Sequence, residues 1–117
     1  MAIKELVKLL RNTFKCNVFR QGSLSENTPY PSRFFTYKNT SSDYEDYADD
    51  EETALEYEVN LYFYSNNIED VFSTIDIARE NLKNAGWICP TAGIDIPADN
   101  ADFYCRMIKI IKEERKI

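Results

Sequence analysis

Residues 53–65, TALEYEVNLYFYS, alternate strictly between apolar and polar: Leu55, Tyr57, Val59, Leu61 and Phe63 fall on one side, Glu56, Glu58, Asn60, Tyr62 and Tyr64 on the other. Only an extended strand puts such a set on one face, because successive side chains point to opposite sides of a sheet. After Ser65, Asn66 and Asn67 the period changes: Ile68, Val71, Phe72, Ile75, Ala78 and Leu82 recur at helical spacing. Asn67 is the expected N-cap, Glu69 and Asp70 complement the positive helix end, and Gly86 is the expected stop. A one-sided strand feeding a one-sided helix requires a helix layer on a sheet.

The remainder of the chain extends that frame. Ile3, Leu6, Val7, Leu10 and Phe14 form a first helical stripe, with Lys4, Lys8 and Arg11 turned outward. CNVF, residues 16–19, reads as a short strand, and residues 22–31, with Gly, Ser, Asn and two Pro, as an irregular loop. RFFTYKNTSSDY, residues 33–44, has no helical period and many aromatics. It is expected to pair antiparallel with residues 53–65, leaving the acidic run between them as a hairpin tip. WIC, residues 87–89, reads as a short strand, residues 90–101 as a connection, and DFYCRMIKIIKE, residues 102–113, as a last strand. In that last strand Phe103, Cys105 and Met107 share a face, and the apolar parity changes at Ile108 and Ile110, which predicts a bulge or an edge position. The expected fold is a single α+β domain over 1–117: a mainly antiparallel sheet, two helices on one of its faces, and a long acidic-tipped hairpin.

Charge is local in this chain. The net charge is −6, but Asp43, Glu45, Asp46, Asp49, Asp50, Glu51 and Glu52 supply seven of the 20 acidic residues, leaving 13 against 14 basic ones elsewhere. No basic stripe of the kind that binds phosphate backbones appears; Lys109, Lys112, Arg115 and Lys116 are interleaved with Glu113 and Glu114. The first fourteen residues contain Glu5 within a helical period, which reads neither as a leader peptide nor as a membrane span, and a cytosolic protein is expected.

Chemistry-bearing motifs are scarce. With no His, the commonest general acid/base and metal-binding side chain is missing. The glycine-rich nucleotide patterns and the GxSxG nucleophile turn do not occur. The acidic run does not fit a calcium loop: Asp43, Glu45 and Tyr47 would take the first, third and fifth places and no Gly follows. No catalytic, cofactor-binding or metal-binding residue is assigned, and the run reads as a solvated or partner-facing charged tip. Cys16, Cys89 and Cys105 are odd in number and widely spaced, which fits a reducing compartment, and Cys105 reads as a small core residue. Tyr57 and Phe63 fall on the core side, while Tyr62, Tyr64 and Tyr104 are candidates for a contact surface on the second sheet face.

Two stretches together carry a family resemblance. TPYPSRFFTY, residues 28–37, with Pro29, Tyr30, Phe34, Phe35 and Tyr37, is followed by residues 57–87, YEVNLYFYSNNIEDVFSTIDIARENLKNAGW. In pattern and order these, with Leu61 and Tyr62 before the acidic-capped helix and residues 103–108 in the last strand, resemble the tail-completion or tail-terminator proteins of long-tailed phages and prophages. Pro31 and Ser32 interrupt the usual run into the strand, and the acidic stretch is longer than that family's pattern. The resemblance implies a non-enzymatic virion-assembly protein with no cofactor. It implies a subunit that forms a hexameric ring with copies of itself, caps the tail tube and meets both the tube protein and the head-connector protein. DNA would only pass through, without sequence-specific binding, and no membrane would be involved. The setting would be the bacterial host cytoplasm during assembly and the tail or neck of the virion afterwards. The competing reading is an acidic protein that binds and inhibits a nucleic-acid-binding host partner; it needs charge spread over a face rather than gathered in one run.

Overall fold

The computed structural model describes residues 2–21, 31–45, 54–98 and 102–115. The chain is a mixed α+β fold with an antiparallel-dominant sheet and two helices. Its elements run α1 (Ala2–Phe14), β1 (Asn17–Arg20), β2 (Arg33–Glu45), β3 (Ala54–Ser65), α2 (Ile68–Asn84), β4 (Ile94–Ile96) and β5 (Tyr104–Arg115). The sheet order is β1-β2-β3-β5-β4. β3 is central, antiparallel to β2 from Arg33↔Ser65 to Glu45↔Ala54 and to β5 from Ser65↔Tyr104 to Ala54↔Arg115.

The alternation in β3 sorts the two faces as its sequence dictates. Tyr57, Val59, Leu61 and Phe63 are buried, and they form one cluster with Ala2, Ile3, Leu6 and Leu10 of α1 and Val71, Ile75, Ala78 and Leu82 of α2. Both amphipathic stripes thus close on the odd-numbered side of β3, joined by Phe35, Ile108 and Ile110. Leu6, Leu10, Ile75 and Leu82 are essentially inaccessible, so truncating any one of them to Ala should cost about 2–5 kcal/mol. The α2 stripe is narrower than its spacing predicts: Ile68 and Phe72 are exposed. Phe72 instead carries the Arg106 guanidinium over its ring, 4.8 Å from the centroid.

The helix ends are built as local chemistry demands. Asn67 accepts the Glu69 amide at 3.0 Å through its side-chain oxygen, and Glu69 and Asp70 occupy the first turn of α2. Past Asn84 the chain closes with Gly86 N–H on Lys83 O and Trp87 N–H on Leu82 O, with Gly86 at φ +95°. At the end of α1 the left-handed position is filled by Lys15, φ +55°, whose N–H bonds Arg11 O. A single side chain then fastens three elements. Arg33, at the start of β2, donates twice to the Asp70 carboxylate at 3.0 Å, to Thr74 Oγ1 at 3.0 Å and to Phe14 O at 3.2 Å.

The sheet is mainly antiparallel as expected, with one parallel pair, β1 to β2, from Asn17↔Phe34 through Arg20↔Tyr37. Three expectations need correction. WIC forms no strand: Trp87 turns into the core at the helix exit and Ile88 makes an isolated bridge to Ile111. The short edge strand is Ile94–Ile96, inside the stretch expected to be a plain connection. The parity change in β5 marks no bulge: β5 pairs with β3 without a slip, β4 covers its outer side only at Cys105–Met107, and Ile108 and Ile110 face the helices while Cys105 faces away. The bulge is in β2, between Asn39 and Ser41. The loop expected over 22–31 lies mostly outside the described residues.

Candidate interaction face

The even-numbered side of β3 meets neither helix in the core cluster. Because register fixes facing, Tyr62 and Tyr64 stand with Thr36 and Phe34 of β2, Met107 and Cys105 of β5, and through them Ile94 and Ile96 of β4. Phe34 is the hub. Its ring stacks on Tyr64, centroids 4.8 Å apart and planes 8° from parallel, and meets the rings of Phe103 at 5.7 Å and Phe19 at 6.0 Å edge-on. Phe34 and Cys105 are buried, Tyr62, Tyr64 and Met107 are half-buried, and Ile94 is 52% exposed. An aromatic band thus runs across β1, β2 and β3 to Phe103 just before β5, with Met107 of β5 beside it and the exposed Ile94 of β4 at its rim.

Electrostatics on this face favours neutral groups. Burial pushes the Tyr64 hydroxyl well above the ordinary tyrosine range, and the neighbouring Cys105 adds to the effect. Burial likewise pushes the Cys105 thiol up to about 11. Cys16 and Cys89 are also raised by burial, so none of the three cysteines is tuned toward thiolate. Among the described residues no group of three or more Cys, Asp and Glu side chains is gathered to hold a metal ion. No described helix is long and apolar enough to cross a membrane.

Of the residues singled out in the sequence, Tyr62 and Tyr64 come together here. Tyr104 does not join them: it pairs with Ser65, on the helix-bearing side, where it is 49% exposed. Asp43 and Glu45 lie in the last positions of β2, whereas Asp46, Asp49, Asp50, Glu51 and Glu52 fall outside the described residues. Register adds something the sequence does not display: Asp43, Glu56 and Glu113 are partners in one row across β2, β3 and β5. Two features escape the sequence pattern. Phe34 is the centre of the band, and the clue to it is its even position in a strand facing Tyr64. Arg33 and Asp70, 37 residues apart, gave no joint signal. Neither a protein-family profile nor a curated protein sequence matches this chain.

Proposed function

We propose that the chain is a structural subunit of a phage tail, one that assembles as a ring, caps the tail tube and joins it to the head connector. The observation that carries this reading is the aromatic band on the helix-free face, from Phe19 through Phe34 and Tyr64 to Met107 and Ile94. Tyr and Met are enriched where protein surfaces meet, and a sheet face with one end buried and the other exposed gives a contact both area and orientation. The resemblance in residues 28–37 and 57–87 supplies the kind of assembly. Within it the acidic run of 43–52 forms the charged end of the β2–β3 hairpin, bordering the DNA channel or facing basic residues of a neighbour. The protein works in the host cytoplasm during assembly and stays in the neck of the finished particle.

The test is growth of tail tubes from purified tube subunits with and without this chain. Tubes that stop lengthening, with labelled chain confined to one end, are the expected result. Label spread along the tube walls, or tubes equally long in both reactions, would overturn the reading. Substituting Tyr62→Ser should weaken capping while the isolated domain stays folded, since Tyr62 is only half-buried.

A further inference from the structure

We infer that the flank of α2 from Ile68 to Lys83 is a docking surface for an acidic peptide segment that carries a large apolar side chain. The inference goes beyond the tail reading and stands whether or not the chain caps tubes.

α2 has a second stripe beside its buried one. Val71, Ile75, Ala78 and Leu82 close on the core, and Phe72, Asp76, Arg79 and Lys83 each follow one of them in the sequence, three or four residues apart. Ile68, one turn before Phe72, opens the line. Ile68 and Phe72 are 48% and 41% exposed. Two large apolar side chains thus stand at one end of the flank and two cations at the other, with the Phe72 and Arg79 positions about 10 Å apart along the helix axis.

The apolar end is held in place by the sheet. Arg106 of β5 lays its guanidinium over the Phe72 ring, 4.8 Å from the centroid, and is itself fixed by the Asp95 carboxylate at 2.7 Å. The Arg106 charge is therefore already engaged, and it orients the ring without closing it off from solvent.

The basic end has no such partner. Arg33, Arg106, Lys109 and Lys112 each meet a carboxylate or a carbonyl. Arg79 and Lys83 form no ion pair among the described residues, and Asp76, on the same line, does not pair with Arg79. Lys83 complements the negative end of α2, but Arg79, a turn earlier, lacks that duty. Arg79 Nε is buried without a hydrogen-bond partner, and such a donor destabilises a fold until an acceptor reaches it. The Cys89 thiol feels the positive charge of both Arg79 and Lys83, and its sulfur lies 4.0 Å from Arg79 O, so the two cationic heads sit near each other beside Cys89.

A carboxylate suits this arrangement better than a phosphate backbone. The Nε edge of a guanidinium receives a planar carboxylate in a two-pronged bond. A nucleic-acid strand needs a run of cations, whereas this flank has two, with Asp76 and Asp95 beside them. An extended segment covers about 10 Å in three residues. A carboxylate three positions from a Tyr, Phe or Leu therefore spans from Phe72 to Arg79.

Fluorescence anisotropy with a labelled peptide tests this. The peptide SDYEDYADDEET copies residues 42–53 of the sequence and has Asp50 three positions after Tyr47, so it supplies both groups. The expected result is saturable binding that fades as salt is added. Arg79→Leu and Phe72→Ala should each weaken it about tenfold or more. Peptides with Asn and Gln for the acids, or Ser for both Tyr, should bind as weakly. Arg79→Leu should melt no lower than the parent chain, because it removes a buried donor the fold leaves unmatched. A melting temperature lowered by several degrees would show that the guanidinium serves the fold and would overturn the inference. So would no binding, equal binding by either altered peptide, undiminished binding by either variant, or tighter binding of a duplex oligonucleotide.

Discussion

Arg33→Ala removes the tie among α1, β2 and α2, and its cost follows from the contacts. The guanidinium makes a two-pronged bond to Asp70, with side chains 34% and 27% exposed, and further bonds to Thr74 Oγ1 and Phe14 O. A fully buried charged bond is worth about 1.5–3 kcal/mol and an exposed ion pair about 0.2–1 kcal/mol. At this intermediate exposure the pair contributes roughly 1–1.5 kcal/mol, and the stranded Phe14 carbonyl and Thr74 hydroxyl add about 1 more. The expected loss is therefore about 2–2.5 kcal/mol, or a fall in Tm of roughly 6–12 °C for a chain of this size. Urea unfolding of Arg33→Ala, Asp70→Ala and the double variant measures the coupling directly, expected at about 1–1.5 kcal/mol. Acid supplies an independent check. Burial by itself would raise the Asp70 carboxyl, but bonds from Arg33, Ser65 and Thr74 outweigh it and hold the group below its ordinary 3.8. A depressed carboxylate stabilises the fold above its unfolded pKa, so the coupling should be intact at neutral pH and fade as pH falls below 3.8. Strict additivity of the two single losses, or a coupling unchanged in acid, would refute the argument.

Other measurements bear on separate parts of the molecule. Gly93→Ala should destabilise by about 2 kcal/mol, because φ is +113° and a Cβ would lie 3.1 Å from Met107 O and 3.0 Å from Arg106 Nε; thermal denaturation reads this. Lys15→Gly should raise stability by about 0.5 kcal/mol, since a side chain is held there at φ +55°. The Cys105 thiol, raised to about 11, should resist a thiol reagent at pH 8 until urea unfolds the chain. Because the unfolded thiol ionises near 9.0 and the folded one about two pH units higher, stability should fall as pH rises from 9.0 to about 11. Replacing Asp46, Asp49, Asp50 and Glu51 with Asn or Gln should leave the thermal transition in place and reduce tube capping; undiminished capping would remove the run from the contact.

What could be read ahead of the structure was whatever repeats along the chain. β3 and α2 announce themselves because each has one covered side and many residues to show it, and Asn67 and Gly86 act through bonds only a few residues long. β5 was harder. Its inner strand position covers both faces, with Cys105 under the aromatic band and Ile108 and Ile110 under the helices, so parity alone cannot say which side the helices take. WIC has strand composition, yet the Leu82 carbonyl recruits the Trp87 amide to finish α2 and the indole is drawn into the core. Ile94–Ile96 is too short for a period to appear. That Tyr62 and Tyr64 share the sheet face away from the helices is legible in the alternation of β3, whereas the facing of Tyr104 depends on the partner strand, and the Arg33–Asp70 pair depends on a fold already formed.

The side-by-side course of β1 and β2 has a consequence for the segment between them. A tight turn can only return a chain the opposite way, whereas strands running the same way need a crossover of about a dozen residues or more. Residues 21–32 are close to that minimum length. Cutting them down to a two-residue turn would leave the first strand able to dock only upside down, with Val18 and the α1 helix before it delivered to the wrong place.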